Sequence, residues 1–161
     1  MTTVETYLNE HHIKFILHEH PAVYTCEEAE KHCSHIPGLP CKNLFLRNEK
    51  KRAYYLCILP AAKRADLKQI AAIVGEKSVS FANVKKLKEF LGLTPGAVSP
   101  FGLINDTENS VYVLVDRDVW EADIVSFHPN RNTASLELSG EMFRKFMKSR
   151  DNIQKIIDII P

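Results

Sequence analysis

The chain has 161 residues, 45% of them hydrophobic and 25% charged, with 21 Lys+Arg against 20 Asp+Glu for a net charge of +1. That is enough chain for one ordinary core, and the composition argues against a disordered or fibrous protein and for one domain over two. A near-neutral balance supplies no global field to draw in nucleic acid, so affinity for long duplexes should be weak, no DNA partner is expected, and any RNA contact must come from a local patch.

Taken in order, residues 3–11 place Val4, Tyr7, Leu8 and His11 at helical spacing. Ile13 to His18 alternates as a short strand, and His20-Pro21 ends it. Thr25 with Glu28 forms a capping box that opens a helix to about Ser34. Pro37-Gly38-Leu39-Pro40 reads as a rigid loop. Lys42–Arg47 and Ala53–Leu59 are apolar runs on either side of the polar stretch 48–52, which is a hairpin signature. Asp66 caps a helix to Val74 that Gly75 ends, and Asn83 caps another that stops at Gly92. Residues 94–102 form a Pro/Gly-rich loop; Val111–Val115, Ile124–His128 and Thr133–Leu138 read as strands. From Ser139 an amphipathic helix runs to Lys148, with Met142, Phe143, Phe146 and Met147 inward. With no clean βαβ alternation, the expected fold is a single α+β domain spanning residues 1–161, a mixed sheet with helices around it.

The start, Met-Thr-Thr-Val-Glu-Thr-Tyr, has no charged segment leading into an apolar one, and no apolar run is long enough to span a membrane. The four cysteines show no CxxC spacing and read as free thiols. A cytoplasmic protein without a membrane partner is the expectation.

Three places could carry chemistry. The loop Gly96-Ala97-Val98-Ser99-Pro100-Phe101 can aim backbone N–H groups at a carbonyl or an oxyanion, although a plain connector is the commoner use of such a loop. Lys42-Asn43 begins an apolar strand, where a lysine can hold a phosphate as a point charge or simply be solvated. His128 ends a strand before Pro129, a position for a proton carrier or for a histidine bonded to backbone. The first third is rich in His and Cys (His11, His12, His18, His20, Cys26, His32, Cys33, His35, Cys41), but without paired metal-ligand spacing. No metal or other cofactor is expected, and nothing pairs a particular Cys with a particular His as a nucleophile. Of the basic clusters (50–52, 63–64, 85–88, 144–150), Lys63-Arg64 is the pick for RNA phosphates, because it follows a strand end near a sheet rim.

In order along nearly the whole chain, His20-Pro-Ala-Val-Tyr-Thr25, Lys42-Asn-Leu-Phe-Leu-Arg47, Gly96-Ala-Val-Ser-Pro-Phe-Gly-Leu-Ile-Asn-Asp106 and Phe127-His-Pro-Asn-Arg-Asn-Thr133 resemble the YbaK/prolyl-tRNA-synthetase-associated editing family. The similarity is greatest to its free-standing alanyl-tRNA(Pro) deacylases, the ProXp-ala or PrdX-like group. The resemblance implies the editing-domain fold with a partly barrel-like sheet, and hydrolysis of mischarged tRNA(Pro), with the tRNA acceptor end and prolyl-tRNA synthetase as partners. It also implies catalytic roles for Lys42, Gly96 and His128. Asn43, Ala97, Val98, Ser99, Pro100 and Phe101 would bind substrate, and the substrate's own ribose hydroxyl would help to activate water. Cys41 stands where this branch often carries Thr, which could reshape the pocket edge. The Ser99-Pro-Phe-Gly-Leu stretch tilts the expected substrate to alanine over cysteine. A non-catalytic module that binds aminoacyl-tRNA or a synthetase is the alternative of another class.

Overall fold

In the computed structural model, which describes residues 3–161 and only the backbone at Cys26, side-chain caps open the helices. Thr3 accepts from the Thr6 N–H to start α1 (Val4–Glu10), and Thr25 accepts from Glu28 to start α2 (Cys26–Cys33). Asp66 opens α3 (Leu67–Val74) and Asn83 opens α4 (Val84–Leu91). Asp116 opens the single turn α5 (Arg117–Trp120), and Ser139 opens α6 (Gly140–Lys148). Each such cap stabilises its helix by about 1 kcal/mol. Gly75 and Gly92 end α3 and α4 in the left-handed region, at φ 76° and 67°, which glycine alone adopts without steric cost.

The strands are β1 (Ile16–Glu19), β2 (Leu39–Asn48), β3 (Tyr54–Pro60), β4 (Val79–Phe81), β5 (Val111–Asp116), β6 (Ile124–Phe127), β7 (Ala134–Ser139) and β8 (Gln154–Ile157). They form one eight-stranded mixed sheet in the order β1-β7-β6-β2-β3-β5-β8, with β4 beside the end of β2. The predicted hairpin is β2–β3, paired antiparallel from Cys41↔Pro60 to Arg47↔Tyr54. The sheet is open: β1 and β8 each pair with a single strand, so the partly barrel-like closure expected from the resemblance is not formed.

Four local differences have physical causes. Ile13 is 2% exposed but packs as a core side chain ahead of the strand, and β1 pairing starts only at Ile16. The Pro37–Pro40 loop is shorter than expected, because Leu39 and Pro40 pair in parallel with Val125 and Ser126, and the Pro40 carbonyl accepts from Ala61. The loop 94–102 winds into two 3-10 turns, Pro95–Ala97 and Pro100–Asn105, each begun by proline with its φ preset. β4, α5 and β8 carry no strong apolar period and are held by their neighbours in the fold.

One core lies between the sheet and α1, α4, α6 and the 3-10 turns, with Phe101, Phe143 and Phe146 fully buried. A smaller one packs α3 on the other face, around Leu46, Cys57, Leu59 and Ile70.

Candidate active site

Strand β2 belongs to both halves of the sheet, and its alternation sorts the side chains near the site. Cys41 and Phe45 pack into the larger core, while Leu44 and Leu46 pack into the smaller one. Lys42 therefore lies on the opposite face of β2 from Asn43. It is half-buried and enters no ion pair among the described residues.

The parallel pairing of β2 with β6 ends at Pro40↔Ser126, and the two strands then part. Lys42 and His128 are each two residues beyond that last pair. Phe127 is buried in the larger core, so alternation puts His128, like Lys42, on the face turned away from it. The two side chains thus flank the opening between β2 and β6.

His128 Nδ1 lies 2.9 Å from the Ala134 carbonyl, which only accepts, so Nδ1 carries the hydrogen. Nε2 is left as a bare acceptor. Burial holds the ring's pKa below the ordinary 6.5; the backbone bond opposes this and the neighbouring His20 adds to it. His128 is therefore neutral at neutral pH. The His20 ring, 5.8 Å away between centroids, is used differently: one nitrogen faces the Pro21 carbonyl at 2.8 Å and the other the Ser135 hydroxyl at 2.9 Å.

The first 3-10 turn lies close to this opening. At Gly96 an added Cβ would meet Asn132 Nδ2 and Tyr24 Cδ1, both at 3.2 Å, which places the turn against the β6–β7 loop and a tyrosine that is 73% exposed. The Ala97 N–H donates to the Thr94 carbonyl, whereas the Gly96 N–H, at the start of the 3-10 turn, has no partner within it. Gly96 is half-buried, and its N–H is one donor that the turn itself does not use.

The rest of the predicted binding loop is structural, and this corrects the sequence reading. Ala97, Ser99, Pro100 and Phe101 are buried, with Ser99 and Phe101 at 0% exposure. Ser99 accepts from the Phe101 N–H and donates to Asn130 Oδ1, and Phe101 stacks edge-on against Phe127 and Phe146. Those residues hold the turn, and the side chains of Ser99 and Phe101 are spent on the fold.

Lys63 is a second correction. Its ammonium meets Asp116 and Asp118, each at 2.9 Å, and the Ile159 carbonyl at 2.8 Å. Burial works against the charge, but the two carboxylates outweigh it and hold the pKa above the ordinary lysine value. All three donors are spent on the fold, so Lys63 cannot be the RNA contact; Arg64 is exposed beside it.

The cysteine and histidine alternatives find no support in the geometry. Cys33, Cys41 and Cys57 are free, and the side chain of Cys26 lies outside the described residues. Cys41 packs against the core and donates to the Leu39 carbonyl, its thiol pushed up to about 12 by burial and the Asp116 charge. It is a protonated, half-buried thiol at the edge of the core and a poor nucleophile. Among the described residues no three His, Cys, Asp or Glu side chains gather where they could hold a metal.

On the Asn43 side, a cleft of about 210 Å³ opens between β2, the tip of β4, α4 and the 3-10 turn. A cleft of similar volume over α3 and β4 contains none of the predicted residues. Sequence reasoning gave no role to Tyr24, Phe81, Val84, Asn130 or Asn132. The Asn130-Arg131-Asn132 run beside His128 was visible as a polar turn, but the partners of those amides are distant in sequence.

Residues 20–146 match the model of the aminoacyl-tRNA editing domain. The prolyl-tRNA editing protein ProX of Acetoanaerobium sticklandii is 40% identical over 152 residues, covering 94% of this chain and 93% of that protein. Prolyl-tRNA synthetase associated domain-containing protein 1 of Danio rerio is 30% identical over 156 residues, covering 96% of this chain and 84% of its own. The crystal structure of a proposed trans-editing enzyme for prolyl-tRNA synthetase aligns with a TM-score of 0.74 over 98% of this chain and 94% of that one, and at 19% identity it speaks for the fold alone. No helix among the described residues is long and apolar enough to cross a membrane.

Proposed function

This chain belongs to the aminoacyl-tRNA editing domain family, and on that premise we propose that it is a deacylase that hydrolyses mischarged tRNA(Pro), with alanine the amino acid removed. The observation that carries the reading is the grouping at the opening between β2 and β6. Among the described residues it joins a half-buried lysine without an ion pair, a neutral histidine with a bare nitrogen, and a turn with an unspent backbone donor at Gly96.

An aminoacyl ester is already activated, so the protein needs only to position water and stabilise the oxyanion. Lys42 is assigned the terminal phosphate, which supplies the missing counter-charge. Water adds to the ester carbonyl carbon, and the carbonyl electrons move to an oxygen that the Gly96 N–H receives. Collapse breaks the bond to the ribose oxygen, which takes a proton, and releases the free amino acid and the tRNA. His128 Nε2 accepts a hydrogen from the ribose hydroxyl or from the attacking water, a task for which its neutral form is the right one. Asn132 and Tyr24 crowd Gly96, and this narrow setting favours a methyl side chain over the proline ring, although a cavity alone discriminates only modestly. The tRNA acceptor end is the required partner, in the cytoplasm where translation occurs. Prolyl-tRNA synthetase is the second partner we propose, on the strength of the Danio rerio relative's name.

The test is to incubate the purified chain with Ala-, Cys- and Pro-tRNA(Pro). Loss of alanine with proline retained is expected. Faster loss of cysteine moves the assignment to the cysteinyl substrate, and survival of every ester ends the enzymatic reading.

A further inference from the structure

The Gly96 donor and His128 come from distant segments, one from the turn after α4 and the other from the end of β6. To act on one ester they must keep a fixed spacing. The loop 128–133, which starts at His128, grips the rest of the fold in three directions. Asn130 Oδ1 accepts from the Ser99 hydroxyl at 3.0 Å, and Asn130 Nδ2 lies 3.4 Å from the Phe101 carbonyl. Arg131 reaches Glu5 of α1 at 3.0 and 3.3 Å. Asn132 Nδ2 donates to the Val23 carbonyl at 3.1 Å, and the Asn132 carbonyl accepts from the Val23 N–H at 3.3 Å. Of these bonds, those of Asn130 reach the segment that carries Gly96.

We propose that Asn130 is a positioning residue for the reaction: by holding Ser99 it sets the Gly96 turn against His128 without touching the substrate. The inference deepens the deacylase reading and rests on it. The link is stiff at both ends. Ser99 is 0% exposed, and its Oγ also accepts from the Phe101 N–H, which fixes the start of the second 3-10 turn. At the other end the His128 Nδ1–H donates to the Ala134 carbonyl and closes the base of the loop, so a shift at Asn130 is carried to the ring. The residue type fits the task. Asn130 sits at φ 62°, in the left-handed region. Glycine would take that backbone more freely, and aspartate would also accept from Ser99. Asparagine can hold the turn with both an acceptor and a donor. Arg131, the next residue, serves as the contrast, because its bonds run to α1 instead of to the site.

The experiment compares whole-chain variants with the parent on Ala-tRNA(Pro), each well below its melting temperature. Asn130→Gly keeps the backbone and deletes the amide. It should lower kcat about tenfold with KM nearly unchanged, because a slackened turn misplaces the bound ester more than it weakens binding. Asn130→Asp keeps the Ser99 bond and should recover most of that rate. Arg131→Gln cuts the tie to Glu5 and should keep the parental kcat, an exposed ion pair being worth little. In NMR spectra without substrate, the Gly96 amide and the His128 ring nitrogens should both shift in Asn130→Gly and stay in place in Arg131→Gln. If Asn130→Gly fails to fold, Ser99→Ala removes the same bond from the other side and should show the same loss of kcat. A parental kcat without the amide, an equal loss in Arg131→Gln, or no recovery in Asn130→Asp would overturn the proposal. A parent that cleaves no ester ends the deacylase reading, and the Gly96 and His128 signals alone then decide whether Asn130 ties the two segments.

Discussion

Lys42 and Lys63 sit near the same end of the β2–β3 hairpin, one entering β2 and the other just past β3, and the fold treats them in opposite ways. Lys63 is closed on all sides: two aspartates and the Ile159 carbonyl take its ammonium and fasten the C-terminal segment to the sheet. Lys42 is half-buried and has no ion pair among the described residues. A partly desolvated charge left without a counter-charge is unfavourable for folding, so its retention makes sense when an anion arrives from outside. The same division separates His20, with both ring nitrogens engaged, from His128, with one bare. It also separates the buried Ser99 from the half-open Gly96 and Val98.

The largest effect should fall on the closed side. Lys63→Met leaves Asp116, whose side chain is 1% exposed, facing no cation. Orphaning one member of a buried pair costs about 3 kcal/mol, discounted here because Asp118 is solvated. For a chain of this size that lowers Tm by roughly 6–12 °C. Calorimetry should show the loss, while the folded variant still cleaves Ala-tRNA(Pro) at the parental rate. A large drop in rate with unchanged Tm would reverse the two roles.

Lys42→Ala should give the opposite profile. Removing a charged contact to phosphate costs about 2–3 kcal/mol, or roughly 100-fold in kcat/KM, with Tm unchanged or slightly raised. If instead Tm falls and the rate holds, Lys42 is a structural lysine and the contrast collapses.

How much of this was legible in the sequence follows the same line. Caps were readable because Thr25, Asp66, Asn83 and Ser139 act on N–H groups two or three residues away. The β2–β3 hairpin was readable because its apolar runs are adjacent. Ser99 and Phe101 looked like substrate contacts because a Pro/Gly loop carries no mark of burial; what buries Phe101 is Phe127 and Phe146, far along the chain. Lys63 looked free for the same reason, since its partners are Asp116, Asp118 and Ile159. The parallel pairings of β2 with β6, β3 with β5 and β5 with β8 join distant segments and leave no local pattern. In each case, what escaped the sequence is whether a polar group's partner lies within the chain or outside it.

The histidine pair gives a smaller and finer test. His128→Gln removes a bare acceptor and should lower kcat/KM about tenfold, a neutral hydrogen bond's worth, while His20→Gln should act on stability more than on rate. The pH profile adds the sign. Burial depresses the His128 pKa below 6.5, so the neutral ring is intact above that value. The activity it supports should be lost as pH falls through the depressed pKa, and the stability it contributes, full above about 6.5, declines from there until the depressed pKa is passed. Measured against spontaneous ester hydrolysis at each pH, the acid limb of kcat/KM should have its midpoint below 6.5 in the parent and vanish in His128→Gln. A limb that survives in that variant would assign the titration to another group.

The smallest expected change is at Gly96. An added methyl there meets Asn132 Nδ2 and Tyr24 Cδ1 at 3.2 Å, so these neighbours must yield by a few tenths of an ångström. Tyr24 is 73% exposed and can yield, so Gly96→Ala should fold with little loss of Tm. The methyl would, however, stand beside the unspent Gly96 N–H, where the ester carbonyl has to approach. A misplacement of that size is enough to lower kcat several-fold. Retention of full kcat would mean that the acyl group does not use this turn, and the Gly96 donor would lose its assigned role while Lys42 kept its own.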